Sequence, residues 1–113
     1  MAAALGCSGP LDKKRLHGEI HELRALAAET RLLLAVGHYQ PYAANQRPAL
    51  ANKVQESRKH LARGVSESAL QRPCSEARQL AAGLEALVSS AVAPRQLDDL
   101  IHRFTRLEQE TVP

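Results

Sequence analysis

Tryptophan is absent from this chain of 113 residues, and its aromatic side chains are only three: Tyr39, Tyr42 and Phe104. So few rings build no platform for stacked bases, which argues against binding of single-stranded nucleic acid by stacking. β-Branched residues are scarce as well, with 6 Val and 2 Ile beside 19 Ala and 17 Leu. Strands favour β-branched and aromatic side chains, whereas Ala, Leu, Arg, Gln and Glu favour helix, so the composition points to an all-α domain. Cys7 and Cys74 are the two cysteines, too few for a disulfide framework. The longest apolar run, Leu32 to Val36, has five residues, against the roughly 18 needed to span a membrane. Gly18, Gly37, Gly64 and Gly83 stand alone, so no glycine-rich phosphate loop is present. The start has neither a basic n-region nor an apolar core, and no Asn-x-Ser/Thr acceptor occurs. These features predict no signal peptide and an intracellular protein, cytoplasmic or nuclear. The mitochondrial matrix is the lesser alternative, because the first 18 residues hold one acid, Asp12.

Leu, Ile, Val and Phe make up 26 of the 113 residues, above the roughly 20% typical of disordered chains. A fold is therefore expected, and its pattern is helical. Residues 1–10 read as a disordered tail ending in Ser8-Gly9-Pro10. One domain over 11–110 follows, with helices expected at 11–36, 48–71, 74–92 and 94–110, and 111–113 frayed. In the first, Leu16, Ile20, Leu23, Ala27, Thr30 and Leu34 are spaced alternately four and three apart. That is the stripe of a coiled-coil-like seam. Its end, Leu32 to Val36, is apolar on every side, which predicts burial all round, in the bundle or under a partner. Residues 37–47 read as a loop, with Asn45 capping the second helix and Pro48 in its first turn. Leu50, Val54, Leu61, Val65 and Ala69 mark the second stripe, with Ser57 or Arg58 between. Ala77, Leu80, Leu84, Leu87 and Ala91 mark the third; Leu97, Leu100, Phe104 and Leu107 mark the fourth. Asp98 and Asp99 read as first-turn acids favoured by the helix dipole. Seams of this kind pack at shallow angles, giving an antiparallel bundle of three to four helices.

Net charge is +3, unevenly spread. Residues 46–72 hold Arg47, Lys53, Arg58, Lys59, Arg63 and Arg72 against Glu56 and Glu67. Either a solvated helix face or a contact for an acidic partner follows from such an excess. His17 and His21 lie four apart, as metal ligands on one helix face do. The zinc-protease patterns require Glu directly after the first His or directly before the second; those positions are Gly18 and Ile20. Cys74 stands at an expected helix start, where the dipole can lower a thiol pKa, but no base or oxyanion site accompanies it in sequence. Leu61-Ala-Arg-Gly64-Val65-Ser66, in its basic setting, resembles the turn of a helix-turn-helix over about 20 residues. His60, Arg63 and Pro73 depart from that pattern, and the competing reading is one continuous helix through Gly64, tolerated at about 1 kcal/mol relative to Ala.

The residues thus predict a non-enzymatic protein–protein interaction module, a small subunit or adaptor whose helices pack with partner helices or with a second copy. No catalytic residue, metal, cofactor or small-molecule substrate is indicated. The candidate contact residues are Leu16, Ile20, Leu23, Leu26, Leu32, Leu33 and Val36. The alternative is binding of nucleic acid or another acidic surface through Lys53, Arg58, Lys59 and Arg63.

Overall fold

The computed structural model describes residues 9–35, 40–89 and 94–113. Within them four α-helices follow in order: α1 Lys13–Ala35, α2 Gln40–Leu61, α3 Gln71–Ser89 and α4 Pro94–Glu110. One turn of 3-10 helix, Ser68–Leu70, leads directly into α3. Each neighbouring pair is antiparallel. Between α1 and α4, His17 meets Thr111 at one end and Arg31 meets Asp98 at the other. Between α2 and α3, Leu61 meets Cys74 and Gln55 meets Glu85. Glu19 meets His60 between α1 and α2, and Arg72 meets Glu110 between α3 and α4. The result is an up-down-up-down bundle in which α1 packs on α2 and α4, α3 packs on the same two, and α1 also touches α3 across the diagonal.

Short-range chemistry starts and ends the helices. Asp12 caps α1: its side chain accepts the backbone N–H of Arg15 at 2.8 Å, and its carbonyl accepts that of Leu16 at 2.9 Å. An Asp in this position satisfies donors that the first turn leaves open. Gly64 stops α2. Its φ of +79° lies in the left-handed region, which an L side chain enters at roughly 1–2 kcal/mol. The continuous helix expected through Gly64 is thereby corrected: 62–67 is a turn. The second helix of a helix-turn-helix crosses the first at about 90–120°. Here α3 runs back along α2, from Cys74 beside Leu61 to Glu85 beside Gln55 and Arg58. The pair is an antiparallel hairpin instead.

The segment before α1 docks on this turn. Leu11 N–H donates to Gly64 O at 2.9 Å, and Ser66 N–H donates back to Leu11 O at 3.0 Å, forming a short parallel bridge with Val65. Leu11 itself is buried. The expected first helical residue is therefore an extended strap, because its backbone bonds are taken by the turn.

Leucine and alanine fill the core. Leu16, Ile20, Leu23, Leu26, Ala27, Thr30 and Leu33 of α1 are buried. Leu50, Val54, Ser57 and Leu61 of α2 face them, so Ser57 fills the middle of the second stripe while Arg58 points out; the stripe ends with α2 at Leu61, leaving Val65 half-buried and Ala69 exposed. On α3 the stripe ends in Val88, and Leu87 is half-buried. A straight helix of 3.6 residues per turn drifts from a strict seven-residue repeat, which accounts for the change. Leu97, Leu100, Phe104 and Leu107 of α4 are all buried, as their spacing predicts.

Other expectations change. Leu32 is 67% exposed, not enclosed, because α1 faces its neighbours on one side only there. Residues 40–47, read as loop, belong to α2, which starts at Gln40 and carries Pro48 in its interior. Proline there costs one backbone hydrogen bond. Asp98 and Asp99 lie beyond the first turn of α4 and pair with Arg31 and Arg103. The expected fraying at 111 is replaced by a fully buried Thr111, whose hydroxyl donates to Leu107 O at 2.9 Å. Cys7, most of the expected tail and the 37–39 segment with Tyr39 lie outside the described residues.

Two glycines test this account in opposite directions. Gly64→Ala is expected to destabilise the bundle by about 1–2 kcal/mol through its left-handed backbone. A methyl group at Gly83 meets nothing within 4 Å, so Gly83→Ala is expected to stabilise by about 0.5–1 kcal/mol through helix propensity. Urea unfolding followed by circular dichroism measures both.

Candidate protein-interaction surfaces

The α1 residues singled out for partner contact divide sharply. Leu16, Ile20, Leu23 and Leu26 are at most 1% exposed, packed into the chain's own core. Leu33 is buried at the edge of the same cluster, and Leu32 alone among them points to solvent. Val36 lies outside the described residues. The face of α1 is thus saturated within one chain, and the open surfaces lie elsewhere.

One of these is a groove between α3 and α4, of about 510 Å³, lined by Gly83, Ala86 and Leu87 from α3 and Arg95, Gln96, Asp99 and Leu100 from α4. Its origin is local: Gly83 has no side chain, Ala86 has a short one, and the drift of the α3 stripe leaves Leu87 half uncovered. The lining is mainly apolar, with an opposite-charge pair of residues, Arg95 and Asp99, on its α4 side.

The second is a cleft of about 380 Å³ between α2 and α3, lined by Gln55, Arg58, Lys59, Ala62, Arg78 and Glu85. Of the basic residues proposed from sequence, it gathers Arg58 and Lys59, whereas Lys53 and Arg63 are exposed on α2 and the following turn outside its lining. Arg78 is the member that sequence reasoning missed. It lies 20 positions beyond Arg58, and only the antiparallel return of α3 brings it there. Arg58 and Gln55 both donate to Glu85. These hydrogen bonds, Arg58's first, hold the Glu85 carboxyl below its ordinary pKa against partial desolvation.

The remaining chemical candidates are engaged by the bundle. His17 Nδ1 lies 3.2 Å from the Thr111 hydroxyl, and His21 and Arg24 both meet the Glu108 carboxylate. His60 Nδ1 lies 2.9 Å from Glu19. Among the described residues, no group of three or more His, Cys, Asp or Glu side chains is placed to hold a metal ion. Cys74 is buried with its thiol 3.7 Å from Leu61 O. Burial raises its pKa, outweighing the charge of Arg78, the opposite of the lowering a helix start can cause. None of the described helices is long and apolar enough to cross a membrane. Compared with protein families, curated proteins and solved structures, the chain has no match.

Glu108 sets the acid sensitivity of the α1/α4 contact. Desolvation pushes its pKa up, but the hydrogen bonds and charges of His21 and Arg24 together outweigh this and leave it lowered. A carboxyl whose folded pKa is depressed contributes stability above its unfolded value, about 4.3 for Glu, and loses that contribution as pH falls toward the folded value. Melting temperature is expected to decline as pH falls below about 4.3, the ordinary Glu value. Glu108→Gln is expected to lower the neutral-pH melting temperature and flatten that decline, read by circular dichroism melts across the acid range.

Proposed function

We propose that this chain is a non-enzymatic protein–protein interaction module of the cell interior, a small helical subunit or adaptor that packs with a helix of a partner protein. The observation that carries the reading is the α3/α4 groove: an open, mainly apolar surface of Gly83, Ala86 and the half-buried Leu87 over the buried Leu100, beside polar side chains. An amphipathic helix laid into an apolar groove is a recurrent mode of recognition, with anchors three to four residues apart. Shallow apolar surface with a polar rim is also where protein contacts concentrate. Leu32, exposed at the end of α1, is a further apolar contact. The α1 seam first singled out by spacing serves the chain's own core, so the partner surface moves to α3 and α4. The non-enzymatic part of the reading is supported by the positions of the reactive groups: the Cys74 thiol is buried, and His17, His21 and His60 are drawn into interhelix contacts.

A photo-crosslinking residue at Gln96, in cells, tests the reading. Crosslinks to one or a few proteins are expected there, and Gly83→Glu, which sets a carboxylate in the groove, is expected to abolish them. Because a Cβ at position 83 has open space, the variant is expected to keep its fold by circular dichroism. Crosslinks that persist unchanged in a folded Gly83→Glu protein sink the proposal.

A further inference from the structure

We propose that the α2/α3 cleft binds an acidic segment of a partner protein, taking its carboxylates on Arg78 and Lys59. This surface is separate from the α3/α4 groove, and the inference stands or falls without it.

The charges in the cleft are unequally committed. Among the described residues its lining holds three cations, Arg58, Lys59 and Arg78, and one carboxylate, Glu85. Arg58 is committed: it and Gln55 together hold Glu85. Lys59 has only a 3.5 Å contact to Glu56, with both side chains more than 60% exposed, and an exposed pair of that kind contributes little. Arg78 is exposed and has no carboxylate partner among the described residues. Two cations therefore face the opening with their hydrogen-bonding capacity largely unused. Glu85 meanwhile shows that the site already accommodates a carboxylate, bound by an arginine and an amide. A guanidinium binds a carboxylate through two parallel N–H donors, so Arg78 is suited to a second one. Ala62 gives the floor a small apolar area for the methylenes of an incoming Glu or Asp.

The same lining disfavours a nucleic acid. Among the described residues no aromatic side chain lines it to stack a base, and the Glu85 carboxylate repels a run of phosphates. A protein segment presenting two or three carboxylates satisfies Arg78 and Lys59 while leaving Glu85 on Arg58.

Fluorescence anisotropy with a labelled Glu-Ala-repeat peptide, on the full chain at about 50 mM salt where electrostatic contacts are weakly screened, tests this directly. Binding is expected to weaken as salt rises. Arg78→Ala is expected to weaken it about two- to fivefold, the factor for an exposed ion pair of up to about 1 kcal/mol. Glu85→Gln frees Arg58 and is expected to tighten binding by a similar factor, a gain that a damaged fold does not produce. Lys13→Ala with Lys14→Ala, which removes equal or greater charge elsewhere on the surface, is expected to leave binding unchanged. Absence of binding, an unaltered Arg78→Ala, an equal loss in the Lys13/Lys14 variant, or stronger binding of duplex DNA or single-stranded RNA of matched charge each overturns the proposal. The last result assigns the face to nucleic acid.

Discussion

One stripe of α1 supports the other helices. Leu16, Ile20, Leu23, Leu26, Ala27 and Leu33 face inward from α1, which packs on α2 and α4 and also touches α3 across the diagonal. Full burial of a leucine or isoleucine side chain contributes about 1.5–3 kcal/mol, whereas an exposed ion pair contributes about 0–1 kcal/mol. The stripe therefore decides that the bundle forms. The polar contacts along its edges decide how the helices align: Glu19 with His60 toward α2, and His17, His21, Arg24 and Arg31 with Thr111, Glu108 and Asp98 toward α4. These pairs sit at matched heights only in the antiparallel register.

Saturating α1 has a consequence for recognition. With its seam buried in the chain's own core, α1 has little left for a partner, and the groove and the cleft both lie along α3. One flank of α3 shapes the apolar groove with α4, and the other shapes the charged cleft with α2. Small residues open the first, at Gly83 and Ala86; Ala62, at the end of α2, leaves room in the second. The two surfaces differ in chemistry, so α3 presents two kinds of contact from one rigid element.

The spacing of apolar residues made most of the core legible. Leu97, Leu100, Phe104 and Leu107 sit where a three-four alternation puts them, and so do Leu16, Ile20, Leu23, Ala27 and Thr30. Periodicity failed where one residue more or less leaves the stripe apolar. Leu87 and Val88 fit the α3 stripe equally well by hydropathy, and packing chose Val88. It failed again at Pro48, which reads as a helix start although α2 begins at Gln40. Thr111 looked like a fraying end because its partner, the ring of His17, is remote in sequence and close only across α4 and α1. Of the candidate surfaces, Arg58 and Lys59 were visible as part of a basic excess, while Arg78 and Glu85 were not, since their role arises from the return of α3 along α2.

Few aromatics, abundant Leu and Ala, and the three-four spacing by themselves determined an all-α bundle with these helical faces, because helix propensity and amphipathic period are local properties of the chain. Tertiary structure alone decided which apolar face stays uncovered and which cations share a cleft. Gly64, whose left-handed backbone ends α2, and Leu11, strapped across that turn, direct α3 back along α2. Exposure and charge proximity depend on that return path, and the distances between residues far apart in sequence are set by packing rather than by spacing.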